Sequence, residues 1–83
     1  MKKTFNINLG GIVFHIDEDA YELLDKYLSN LRIHFSKEEG AEEIVHDMEL
    51  RISELFSERL NERNQVVTLT DVEEIIAQMG KPE

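Results

Sequence analysis

The chain lacks cysteine and tryptophan entirely, and it has no long apolar run. The absence of cysteine excludes a disulfide framework and a thiolate metal site. No run of about eighteen apolar residues occurs, so the sequence shows no membrane-spanning pattern. What remains is a chain of 83 residues, 41% of them hydrophobic, which is enough for one modest core. We therefore expect residues 1–83 to form a single small domain that is stabilised by packing.

Basic residues are also scarce, with nine Lys and Arg against eighteen Asp and Glu, for a net charge of −9. Residues 17–35 contain five acids and two bases, and residues 41–62 contain seven acids and two bases. Neither segment offers the basic stripe that binds a phosphate backbone. We therefore expect no direct nucleic-acid contact, and an acidic, solvated surface that keeps the domain soluble.

The first sixteen residues alternate between apolar and other side chains around a Gly10-Gly11 pair. The alternating apolar positions are Phe5, Ile7, Leu9, Ile12, Phe14 and Ile16. Two adjacent glycines supply the positive φ angles of a two-residue hairpin turn. The pattern predicts a β-hairpin over about 3–16 with Leu9 opposite Ile12. All six apolar side chains then share one face, which the rest of the chain must cover.

After residue 16 the apolar spacing changes to three and four, which is typical of helices. The pattern predicts helices over about 18–35, 40–61 and 71–79, with Asp17 as the N-cap of the first. A β-branched segment over 65–69 predicts a possible short strand. The expected fold class is α+β, with the N-terminal hairpin packed against three helices. Whether the short strand pairs with the hairpin stays open.

Capping signals indicate where the second and third helices begin and end. Ser36–Glu39 has the spacing of a capping box, although the second helix can instead start at Gly40. Thr70–Glu73 has the same spacing and predicts the start of the third helix. Gly80 is placed to end that helix, and Pro82 prevents its continuation.

Three polar residues on the second helix, Glu42, His46 and Glu49, share one side at spacings that suit a metal site. No further ligand cluster accompanies them, so a solvated, charged helix face is the favoured interpretation. His15 and His34 have no serine or cysteine nearby to serve as a nucleophile. We expect no catalytic, cofactor-binding or metal-binding residue, and no enzymatic activity.

Two apolar residues fall outside the apolar stripes of their helices. On a helical wheel, Ile33 lies nearly opposite the stripe of the first helix, and Leu50 lies nearly opposite that of the second. Single exposed apolar residues are common, but clustered ones indicate contact with another molecule. Ile33 and Leu50 are therefore the candidate interaction surface, either for a protein partner or for self-association.

Much of the chain resembles the amino-terminal region of bacterial PspC-domain proteins, which are similar to the phage-shock protein C group of envelope-stress factors. The first half of the resemblance is carried by Asn8–Gly11, Val13–Tyr21, Leu23-Leu24 and Tyr27–Arg32. The second half is carried by Glu43–Val45, Glu49–Phe56, Asp71–Ile76 and Met79–Glu83. A second resemblance is to HAAS-type helical domains, which precede membrane segments in bacterial regulators.

The resemblance implies a non-enzymatic regulatory or adaptor module that acts by protein–protein contact. It implies a cytoplasmic position at the inner membrane, as the N-terminal fragment of a longer protein whose membrane segment lies outside this chain. The alternative is the DNA-binding part of a stress-responsive transcriptional regulator, a label often given to such proteins. The resemblance assigns no catalytic, cofactor or metal residue.

Overall fold

A computed structural model describes residues 3–63 and 65–80 of the chain. It confirms the α+β class: a β-hairpin, a third short strand and three helices. The elements are β1 (Thr4–Leu9), β2 (Ile12–Asp17), α1 (Glu18–His34), α2 (Ala41–Arg59), β3 (Val66–Val67) and α3 (Leu69–Met79).

The hairpin has the predicted register. β1 and β2 pair antiparallel with Leu9 opposite Ile12, and every pair out to Thr4 and Asp17 follows from that one. Gly10 and Gly11 both have positive φ, 59° and 90°, as a two-residue turn between twisted strands requires. The local chemistry of the turn thus decides which face of each strand meets the helices.

The third strand pairs with the hairpin, which answers the question that the sequence leaves open. β3 lies parallel to β2, with Val66 opposite His15 and Val67 opposite Ile16, so the sheet order is β1-β2-β3. Parallel neighbours need a crossover connection, and α1 and α2 supply it. The strand is shorter than the predicted 65–69 because Leu69 already belongs to α3.

The core lies between one face of the sheet and the three helices. Phe14 of β2 meets Phe56 of α2 edge to face, with ring centroids 5.5 Å apart, an arrangement that aromatic pairs favour. The other members of the core cluster are Leu9, Ile16, Ala20, Leu24, Tyr27, Leu28, Leu31, Ile52, Val67, Val72, Ile75 and Ile76.

The helix starts differ from the prediction in two places, the first of which is α2. The capping box expected at Ser36–Glu39 is wrong, because the Ser36 hydroxyl instead donates to the Ile33 carbonyl oxygen at 2.8 Å. Gly40 is the N-cap, at φ 77°. A left-handed residue interrupts a right-handed helix, so α2 begins only at Ala41. The alternative start at Gly40 is therefore the better prediction.

The second difference is at α3, which begins two residues earlier than predicted. Thr68, not Thr70, is the N-cap: its hydroxyl accepts from Asp71 N, and Asp71 Oδ2 accepts from Thr68 N. Thr68 directly follows β3 and keeps an extended backbone, which is the conformation an N-cap needs. Asp17 occupies the predicted N-cap of α1, and Gly80 ends α3 as predicted, at the C-cap. Pro82 lies outside the described residues.

Candidate interaction surface

Ile33 lies one residue before the end of α1, and 72% of it is exposed. It lines a groove of about 440 Å³ between α1 and α3, together with Leu23, Tyr27 and Ile76. We call this the α1–α3 groove. A second depression shares Leu23 and Ile76 with it and extends it along α3 towards Gly80. The apolar lining is therefore continuous along the seam of the two helices.

The groove has a fixed floor, because Tyr27 ties α1 to the end of α3. The Tyr27 hydroxyl donates to the Gly80 carbonyl oxygen at 2.7 Å. That carbonyl follows the last residue of α3, where backbone acceptors lack partners within the helix. Burial raises the pKa of Tyr27 above its ordinary value of 10.0, because desolvation penalises the phenolate. The hydroxyl thus stays protonated and holds the two helices together.

The charges around Ile33 contrast with those of the whole chain. The other described residues that line this end of the groove are Lys26, Asn30 and His34, and no acid is among them. The chain as a whole carries −9. At this end the apolar strip lies beside a lysine, whereas Glu73 lines the extension along α3. A ligand with an apolar side chain at Ile33 and a carboxylate near Lys26 would be complementary in charge to this end.

Leu50 does not share this surface. It is half-buried, and a Cβ atom added to Gly10 would collide with Leu50 Cδ2 and lie 3.5 Å from Leu50 Cα. The hairpin turn therefore rests on α2 at this residue, which gives Leu50 an intramolecular packing role. The helical wheel missed this because the hairpin covers a second side of α2, beyond the stripe that meets the other helices.

The polar trio on α2 lines a separate groove of about 470 Å³ together with Arg32 of α1. Arg32 Nη2 and Glu49 Oε1 lie 3.3 Å apart, so this carboxylate already has a cation. Glu42 and His46 are exposed. In the part of the chain that the structure describes, no group of three acidic, His or Cys side chains could hold a metal ion.

Three further exposed apolar side chains lie in the hairpin, and the expectation that the whole inner face is covered is wrong for two of them, Phe5 and Ile12. Phe5, Ile12 and Val13 are 41%, 47% and 60% exposed. Val13 belongs to the outer face of the hairpin. Phe5 and Ile12 belong to the inner face, but they lie at the margin of the area that the helices cover. The positions of the two residues account for their exposure: among the described residues β1, which carries Phe5, pairs with one strand only, and Ile12 adjoins the turn.

Comparison with known proteins adds no further constraint. No protein-family model, no curated protein and no solved structure matches the chain. Among the helices within residues 3–63 and 65–80, none is both long enough and apolar enough to cross a membrane. The resemblance to PspC-domain proteins therefore stays a prediction.

Proposed function

We propose that this domain is a non-enzymatic regulatory or adaptor module that acts by protein–protein contact through the α1–α3 groove. The observation that carries the proposal is Ile33, 72% exposed at the rim of an apolar groove. Exposing an isoleucine gains nothing for the fold, whereas an apolar groove with a few polar neighbours is typical of a recognition site. The resemblance to envelope-stress proteins supports a cytoplasmic position beside the inner membrane, reached through a segment outside this chain.

The DNA-binding alternative receives less support, because α3 carries Asp71, Glu73 and Glu74 and has no basic residue in its last turn.

The test is site-specific photo-cross-linking in cells, with a photoreactive amino acid at Asn30, on the rim of the groove. A matched variant carries the same group at Glu58, which is exposed on α2. We expect one discrete cross-linked protein from position 30, none from position 58, and loss of that product when Ile33→Asp is added. Equal products at both positions, or a product that survives Ile33→Asp, would contradict the proposal.

A further inference from the structure

β1 is an edge strand whose outer side has no neighbour among the described residues, because the sheet order is β1-β2-β3. In an antiparallel pair, residues alternate between bonding the neighbour and pointing their N–H and C=O away from it. Lys3 O accepts from Glu18 N at 2.8 Å, so odd-numbered residues bond towards β2. The backbone groups of Thr4, Asn6 and Asn8 therefore point to the open edge.

This edge lacks the devices that keep sheet edges apart. Proteins protect such edges with charged side chains, proline or bulges. From Thr4 to Phe14 the chain runs for eleven residues without a charge or a proline, although 33% of all its residues are charged. Because the chain has a net charge of −9, two copies repel each other least where this uncharged segment of one faces that of the other.

We propose that two copies of the chain associate through this edge, with the β1 strands antiparallel about a two-fold axis at Asn6. Each Asn6 then faces Asn6 of the second copy, and Thr4 faces Asn8 of the second copy. All three outward-pointing residues of each strand are paired, for about six backbone hydrogen bonds. With the axis at Ile7 instead, the only outward-pointing residues of β1 that face each other are Asn6 of one copy and Asn8 of the other. That register forms only about four backbone hydrogen bonds, so the axis at Asn6 is favoured.

The occupant is a second copy because the strand is complementary to itself. With the axis at Asn6, Phe5 lies opposite Ile7 of the second copy in the closely spaced, non-hydrogen-bonded position, where side chains contact most. Phe5 is 41% exposed and Ile7 is half-buried, so each covers the apolar surface that the other leaves open. A two-fold interface uses the same patch twice, and this contact forms on both sides of the axis.

The net charge makes the association depend on salt. Two chains of −9 repel each other over several ångströms, and added salt screens that repulsion. We expect the dimer to tighten as salt rises from low to physiological concentration. Binding to nucleic acid has the opposite dependence, because salt weakens phosphate contacts.

The first experiment is sedimentation velocity over a concentration series for Asn6→Pro and Asn6→Thr. Proline removes the N–H of residue 6, which the geometry directs to the dimer and not to β2, and edge strands tolerate proline at such positions. We expect Asn6→Pro to raise the dimer dissociation constant at least about tenfold. Asn6→Thr keeps the N–H and a good strand former, so its constant should stay near that of the native chain. Equal constants for the two variants would overturn the proposal.

The second experiment tests the register and does not depend on how well Asn6→Pro folds. The chain has no cysteine, so Asn6→Cys introduces a single thiol. Its Cα would lie about 5.5 Å from that of the second copy, within disulfide range. In the matched variant Thr4→Cys, the two cysteines of the dimer lie four residues apart along the paired strands, a distance of about 13 Å that no disulfide can span. We expect disulfide-linked dimers from Asn6→Cys and none from Thr4→Cys. Similar yields of cross-linked dimer from the two variants, or no cross-linking of either, would overturn the proposal. Sedimentation that shows oligomers larger than a dimer, or a monomer at all concentrations, would also overturn it.

Discussion

The two strands of the hairpin have the same length and the same alternation, yet their inward-facing residues are buried to different extents. Away from the turn, Phe14 and Ile16 of β2 are 4% and 0% exposed, whereas Phe5 of β1, opposite Ile16, is 41% exposed. Next to the turn the order is reversed, with Leu9 of β1 at 1% and Ile12 of β2 at 47%. Alternation therefore decides which face a side chain takes, and it does not decide how deeply the side chain is buried.

The difference follows from the neighbours of each strand. β2 has β1 on one side and β3 on the other, and the Phe56 ring of α2 packs against Phe14. Within residues 3–63 and 65–80, β1 has a single strand neighbour, and the only aromatic ring paired with Phe5 is that of Tyr21, in a T-shaped arrangement with ring centroids 5.3 Å apart. Away from the turn, the central strand thus supplies buried side chains to the core, while the edge strand leaves part of Phe5 exposed.

The largest expected effect tests this comparison directly, with one charge placed in each strand. Phe14→Asp buries a carboxylate in the apolar core cluster, at a cost of several kcal/mol that is comparable to the whole stability of a small domain. We expect circular dichroism to show a largely unfolded chain. Phe5→Asp should remain folded and lose about 1–2 kcal/mol of packing with Tyr21. A cooperative melt of Phe14→Asp near that of the native chain would contradict the assignment of β2 to the core.

A second pair of variants separates Leu50 from Ile33, the two residues that the sequence grouped together. Leu50→Ala removes the side chain on which the hairpin turn rests, and should cost about 1–3 kcal/mol, less than for a fully buried leucine. Ile33→Ala changes an exposed residue and should stay within about 0.5 kcal/mol. Urea denaturation measures both changes. If the two variants lose equal stability, the packing of Leu50 against the turn does not hold the hairpin on α2.

The third comparison concerns the threonine that caps α3, just after the strand that covers β2. Thr68→Ala removes the acceptor for Asp71 N, and should cost about 0.5–2 kcal/mol. Thr70 is exposed inside the helix, so Thr70→Ala should change the free energy of unfolding by no more than about 0.5 kcal/mol. Chemical denaturation measures the free energy of unfolding of both variants, and we expect the larger loss for Thr68→Ala. A larger loss for Thr70→Ala would place the helix start where the sequence alone predicted it.

These pairs show which features the sequence determines locally and which need the tertiary structure. The hairpin register was predictable because one Gly10-Gly11 turn fixes every pair. The start of α3 was not, because Thr68 and Thr70 each have an acidic residue three positions later, and the pairing of β3 with β2 decides between them. Likewise, a helical wheel describes one buried side of α2 and gives no sign that Gly10 rests on Leu50. The exposure of Ile33 was predictable because its helix has one covered side.

The smallest effect is expected at the tie beneath the α1–α3 groove. Tyr27→Phe removes the hydrogen bond to the Gly80 carbonyl oxygen and should cost about 0.5–1.5 kcal/mol at neutral pH. The folded-state pKa of Tyr27 is raised above the unfolded value of 10.0. Its contribution is therefore fully present below that pH and is lost as pH rises through the folded-state pKa. The stability difference between the native chain and Tyr27→Phe should then shrink in alkaline urea titrations. Tyr21→Phe is the matched variant. If the stability difference between the native chain and Tyr27→Phe stays constant up to the highest pH at which the native chain folds, the Tyr27 hydroxyl does not link stability to pH.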